Sequence, residues 1–271
     1  MQIIVNHRGA IALALLTSII VAAPQVAFRY QHRRDGVYQG IELLPDSPWS
    51  SRVREVMDGH PNLGSIYYKD GKNDPYLFQP GGSMTVAYMG EAFGLDINNT
   101  LLLARFVLTF IVFLLIYAFI VLLSRDRLAA LAGASVLLEA DAVMNISGIK
   151  NLLHGISPSN FLNIGLPVDP AMFFIPLFAF LIAFWLFYRN RDCIWGIASA
   201  VLLGLNFYNY FYSWTYLYAF GGFLVLVLIL KREWREAVRV GSIFAGALLV
   251  AIPYGINIYR AAQYPTYAEV G

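Results

Sequence analysis

Hydrophobic and polar positions come in long blocks along this chain. Seven apolar stretches approach the roughly 20 residues that a helix needs to cross a bilayer. They run from Gly9 to Phe28, Leu101 to Leu123, Leu128 to Met144, Pro170 to Tyr188, Ile194 to Tyr210, Tyr212 to Leu230 and Val240 to Ile258. The pattern predicts an all-α membrane protein of about seven transmembrane helices. The third stretch is rich in Ala and Gly and closes on Glu139 and Asp141, so a short or tilted helix is expected there.

The polar blocks are unequal. Residues 29–100 form a long first loop and residues 145–169 a second, and the whole of 1–271 reads as a single transmembrane domain. Inside the first loop, Trp49, Val53, Val56 and Met57 recur at helical spacing, while Arg52, Arg54, Glu55 and Asp58 occupy other faces. An amphipathic helix from Pro48 to Gly59 follows, capped by Asp46 or Ser47 and lying flat in the interface with its apolar side on lipid or on the membrane core. A turn-rich aromatic stretch over Ile66 to Tyr76 precedes a second surface helix from about Gly82 to Phe93, with Gly94 as its stop.

Charge then orients the segments. Three tight connections are basic: Arg125 with Arg127, Arg189 with Arg191, and Lys231, Arg232, Arg235 with Arg239. Cytoplasmic loops are enriched in Lys and Arg, so these ends read as cytoplasmic, which places the amino terminus inside and both long loops and the tail after Ile258 outside. Arg29, Arg33 and Arg34 point the other way, but they border a long loop that translocates whatever its charge. The first apolar stretch exceeds the 7–15 residues of a signal-peptide core and reads as a span, with a signal peptide started by His7 and Arg8 and cleaved near Ala22-Ala23-Pro24 as the alternative. The location expected is an integral, multi-pass place in the plasma (inner) membrane of a prokaryote.

Composition agrees: 58% of residues are hydrophobic and 13% charged, against about 25% charged in soluble domains. The lone Cys193 excludes an intramolecular disulfide. Gly-rich phosphate loops, zinc-type Cys/His spacing and internal repeats are absent, and no nucleic-acid partner is expected.

The chemistry rests on acids at segment ends. Asp46 lies between the first span and the interfacial helix, and Glu139 and Asp141 form an acid-x-acid pair at the outer end of the third span. Ionisable groups at membrane depth are costly and face cavities, pair or serve function. Residues two apart on a helix point about 200° apart, so Glu139 and Asp141 converge on one ion only where the helix ends, which the following Asn145-Ile146-Ser147-Gly148 permits. Such hard oxygen ligands suit Mg or Mn, the divalent metal expected here, and solvation at a helix end is the alternative. Arg105, Lys150 and His154 are candidates for holding a donor phosphate, with snorkelling to headgroups the other reading of Arg105. The aromatic run from Phe207 to Tyr216 offers Tyr210, Tyr212 and Trp214 as a sugar or lipid platform, or as an interfacial belt.

This arrangement resembles the GT-C superfamily of membrane glycosyltransferases, in particular the oligosaccharyltransferase catalytic subunits. Asp46 matches the catalytic acid near the start of their first exoplasmic loop, and Glu139-Ala140-Asp141 matches the acid-x-acid motif at the outer end of the third span. The resemblance covers Gly9 to Ile258 and is architectural. It implies a glycosyltransferase that moves a sugar or oligosaccharide from a polyprenyl-phosphate or -diphosphate donor to an acceptor on the exoplasmic face. Asp46 is then the catalytic acid, and Asp46, Glu139 and Asp141 hold the metal. Alternatively Asp46 is a general base, a role for which Asp35 and Glu42 compete. Family members usually carry more spans and a Trp-Trp-Asp acceptor motif missing here, so the chain reads as short at its carboxy terminus. The rival expectations are a transporter or flippase and a non-catalytic membrane scaffold, and Gly204 and Pro253 within spans suit the former.

Overall fold

The structure, a computed structural model, describes residues 7–31, 47–64, 71–72, 74–76, 78–144 and 171–264. The side chains of 24, 28, 31, 47, 48 and 137–144 are excepted. The described residues form helices α1 (Arg8–Gln31), α2 (Ser47–Met57), α3 (Gly81–Ala92), α4 (Ile97–Ser124), α5 (Arg127–Met144), α6 (Ala171–Asn190), α7 (Cys193–Asn206), α8 (Phe211–Leu230) and α9 (Trp234–Ala261), with no strand among them.

Four of these, α4, α6, α8 and α9, are long and apolar enough to cross a membrane. The other predicted spans fall on shorter apolar stretches, Arg8–Ala23, Arg127–Val136 and Cys193–Asn206. At 1.5 Å per residue, the 14 residues of α7 reach only about 21 Å of a hydrocarbon core about 30 Å thick. Its expected extension to Tyr210 is cut off where Phe207 to Tyr210 turn back.

The chain divides into two compact units, one of residues 1–57 and 85–175, the other of 58–84 and 176–271. In the first unit α4 packs against α1, α5 and α2. At one end of α1, His7 Nδ1 lies 2.7 Å from the Tyr117 hydroxyl late in α4; at the other, Arg29 Nη1 donates to Asn99 Oδ1 at 2.8 Å at the start of α4. The two helices are therefore antiparallel. Their core is built from Ala14, Ala104, Val112, Phe113 and Ile116, all at most 1% exposed. Short polar residues set the boundaries: the Asp96 carboxylate accepts from Asn99 N–H and starts α4, and Asp126 accepts from Leu128 N–H and starts α5.

In the second unit α9 lies against α7 and α8. Phe180, Phe184, Phe187, Leu203, Leu217, Val240, Ile243 and Phe244 fill the core, with Phe180 and Phe184 stacked at 5.5 Å and Phe244 edge-on to both. Lipid tails give no hydrophobic drive between helices, so close backbone approach matters, and small residues supply it. A Cβ on Gly204 would meet Val250 Cβ at 2.5 Å and the Ala247 carbonyl oxygen at 2.9 Å.

Three helix ends share a feature that sequence reading did not anticipate. Arg125, Arg191 and Arg232, after α4, α6 and α8, have φ of 59°, 61° and 62°. This left-handed conformation costs an L-residue about 1–2 kcal/mol and is usually given to glycine.

Candidate functional site

Within the second unit, Tyr76, Gln79 and Gly81 of the first loop are held to the aromatic turn and α9. Asn257 on α9 donates from Nδ2 to the Tyr76 carbonyl at 2.9 Å, and the Tyr76 ring stacks on Tyr254 at 6.1 Å. Gln79 Nε2 reaches the Tyr254 hydroxyl at 3.4 Å. Gly81, the first residue of α3, donates its N–H to the Tyr208 carbonyl at 2.7 Å, and a Cβ there would collide with that same oxygen. Burial, then the neighbouring phenols of Tyr208 and Tyr254, hold the Tyr76 hydroxyl well above the ordinary tyrosine range, so it stays protonated.

Beneath this latch, Tyr208 reaches into α9. Its hydroxyl donates to the Val250 carbonyl at 3.0 Å and accepts from the Tyr254 N–H at 3.2 Å. Those two backbone groups are the i and i+4 partners of an ordinary helical bond, and Pro253 between them cannot donate. A side chain inserted into the ladder beside a proline is a recognised cause of helix bending, and it keeps both backbone groups satisfied away from water.

The turn from Phe207 to Tyr210 carries the predicted platform. Phe207 stacks on Trp214 at 4.5 Å with planes 13° apart, and Phe211 meets Trp214 edge-on at 5.2 Å. One face of Trp214 is thus already used. Tyr212 is 67% exposed and contacts Tyr210 and Phe211, so it is the open member of the three. Polar capacity is left over: Asn209 Oδ1, Asn206 Oδ1 and Trp214 Nε1 are buried and form no hydrogen bond among the described residues. The amide nitrogens of both asparagines are occupied by the carbonyls of Leu205 and Leu202. A buried unmet donor or acceptor costs about 1–3 kcal/mol, so these three atoms suit a hydroxylated ligand or water.

In the first unit two described arginines are buried. Arg105 is 8% exposed on α4. Arg52 on α2 is 5% exposed, its guanidinium 5.3 Å from the centroid of the Trp49 ring, and burial lowers its pKa to about 10. Periodicity placed Arg52 on the polar side of α2. Instead it lies inside with Val53 and Val56, because an Arg stem packs as an apolar chain and its planar head stacks on an aromatic ring. Arg54 on the same helix is exposed.

Asp46, Lys150 and His154, with the competing Asp35 and Glu42, lie outside the described residues. Glu139 and Asp141 occupy the last turns of α5, and the helix runs on to Met144 instead of ending at the pair as the sequence reading expected; their side chains lie outside the described residues too. Among the described residues no three His, Cys, Asp or Glu side chains gather as a metal site. Sequence reasoning missed Tyr76, Gln79, Tyr208, Tyr254 and Asn257. Only Pro253 and the crowding of tyrosines hinted at them. Set beside known proteins, the chain matches no family model, no curated protein and no solved structure.

Proposed function

We propose that this chain is a membrane glycosyltransferase of the GT-C type, moving a sugar or oligosaccharide from a polyprenyl-phosphate or -diphosphate donor to an acceptor on the exoplasmic face. The observation that carries this reading is the aromatic turn under the latched loop. Two buried amide oxygens and an indole N–H are unfilled beside stacked rings, which is the chemistry that binds a sugar. Further support comes from Arg52 and Arg105, buried guanidinium groups on helices that pack on each other, since a desolvated guanidinium holds a phosphate oxygen pair in bidentate fashion. Glu139 and Asp141 lie near the end of α5 in the same unit, with the helix running on to Met144.

In this reading the chain crosses the membrane seven times, α1, α5 and α7 adding to the four long spans, with the amino terminus and the basic turns in the cytoplasm. Asp46, Glu139 and Asp141 are the residues that would hold a divalent Mg or Mn ion, which would supply Lewis-acid stabilisation of the leaving phosphate. Within the first unit Arg52 and Arg105, with Lys150 and His154, are the candidates for holding a phosphate, and within the second, taken by itself, Tyr210, Tyr212 and Trp214 are the candidates for bordering a sugar. A flippase would also use intramembrane acids, but α5 carries its acids near its end. Photo-crosslinking with a polyprenyl-diphosphate sugar in nanodiscs tests the donor site. Wild type should label, and Arg52→Gln and Arg105→Gln should each cut labelling about tenfold, the order expected for losing one charge-assisted bidentate contact. Equal labelling of all three proteins would remove the phosphate role of both arginines.

A further inference from the structure

The second unit ends, opposite its aromatic turn, in two helix connections. α6 passes to α7 through Arg191 and Asp192, and α8 passes to α9 through Lys231, Arg232 and Glu233. Because α7 runs from that end to the aromatic turn, α8 back again and α9 away once more, both connections lie at one end of the bundle. They are tied together. Glu236 near the start of α9 is shared between Arg191 Nη2 at 3.0 Å and Arg239 Nη1 at 3.0 Å, and Arg239 lies 5.0 Å from the centroid of Phe187 on α6.

That clamp uses one carboxylate for two cations. Lys231, Arg232 and Arg235 remain exposed, with no side-chain hydrogen bond or ion pair to any described residue. Among the described residues Arg189 bonds its neighbour Asn190 alone. Over residues 189–192 and 231–239 the formal charges are six positive, Arg189, Arg191, Lys231, Arg232, Arg235 and Arg239, and three negative, Asp192, Glu233 and Glu236, a balance of +3. Arg191 and Arg232 sit in left-handed backbone, where glycine would be cheaper. A cation is thus kept at each turn despite the strain. Complementing the negative helix end accounts for part of this and asks for only one charge per helix.

Around the cations the surface is apolar. Leu230 is 74% exposed, Trp234 59%, Ile194 66% and Val238 71%. Free cations against exposed aliphatic and indole surface at the end of membrane-spanning helices match an amphiphile with a negative head, not a soluble anion.

We propose that this end is a binding site for an anionic phospholipid, its phosphodiester held by Lys231, Arg232 and Arg235 and its acyl chains lying along Leu230, Trp234 and Val238. The Glu236 clamp fixes the two turns against each other, so the cations are presented as a preformed cradle. The site needs no donor sugar and is independent of the glycosyltransferase reading.

The test uses the full chain in nanodiscs of phosphatidylcholine with a minor fraction of phosphatidylglycerol. Spin-labelled phosphatidylglycerol and spin-labelled phosphatidylcholine are compared for association with the protein. Wild type should prefer the anionic lipid, and the triple substitution Lys231→Gln, Arg232→Gln, Arg235→Gln should lower that preference about tenfold, while Arg260→Gln at the opposite end of α9 leaves it unchanged. Should the triple variant lose its helical circular dichroism, Arg235→Gln alone replaces it, with a two- to threefold drop expected. Three results would overturn the site: no preference in wild type, an equal loss from Arg260→Gln, or displacement of the labelled lipid by 10 mM inorganic phosphate, which would make it a soluble-anion site.

Discussion

Replacing Tyr208 by Phe isolates one oxygen atom with two jobs. The hydroxyl donates to Val250 and accepts from Tyr254, while the ring, 5.7 Å from the Tyr254 ring, stays where it is. Each hydrogen bond is worth about 0.5–1.5 kcal/mol net, so losing both costs about 1–3 kcal/mol if the two backbone groups stay apart. If they close on each other, α9 straightens beside Pro253 and shifts Tyr254 and Asn257, which hold the loop at Gln79 and Tyr76. Either way the latch is weakened. For a chain of this size 1 kcal/mol moves the melting temperature by about 2–4 °C, so Tyr208→Phe should melt about 2–12 °C lower in detergent micelles. Amide exchange should quicken over residues 250–257. Tyr216→Phe is the control, because that ring is 68% exposed and should change neither readout. A Tyr208→Phe protein melting within about 1 °C of wild type, with unchanged exchange at Tyr254, would refute the ladder-insertion argument.

Other outcomes are as specific. Gly204→Leu should destabilise the contact between α7 and α9 by about 1–3 kcal/mol, read as unfolding at lower SDS fraction, since Val250 and the Ala247 backbone leave no room. Tyr76 is protonated in the fold above the pH, about 10, at which an unfolded tyrosine ionises, so the folded state holds the extra proton and stability should fall as pH rises past that point. Tyr76→Phe should flatten this alkaline decline, and an identical decline in both proteins would show that Tyr76 plays no part. Cys193, the single cysteine and exposed at the basic end, reports orientation: a membrane-impermeant maleimide should label it in inverted vesicles and not in sealed right-side-out ones. Labelling from the opposite side would reverse the topology.

Much of the helical layout was readable from hydropathy and short polar caps. The surface helix expected over Gly82 to Phe93 appears as α3, Gly81–Ala92, and Gly94 stops it with φ of 62°. The amphipathic helix expected from Pro48 appears as α2. The number of spans was less legible, because an apolar run does not say where a helix stops. Phe207, Tyr208 and Tyr210 carry on the uncharged, aromatic-rich run of the span before them, yet the chain turns there. The latch was invisible for another reason. Tyr76 and Asn257, or Gln79 and Tyr254, are separated by 181 and 175 residues, and nothing in local periodicity pairs them. Arg52 was misplaced because a helical wheel sorts side chains by charge, whereas the guanidinium obeys its aromatic neighbour.

The deciding experiment is sugar transfer itself, measured with a panel of labelled polyprenyl-linked sugars and the full chain in reconstituted membranes. Transfer that needs Mn or Mg, stops with chelator and is lost in both Asp46→Ala and Glu139→Ala is the expected result. A chain shown to be folded that neither transfers nor binds any donor in the panel would sink the glycosyltransferase reading and leave the transporter or the scaffold.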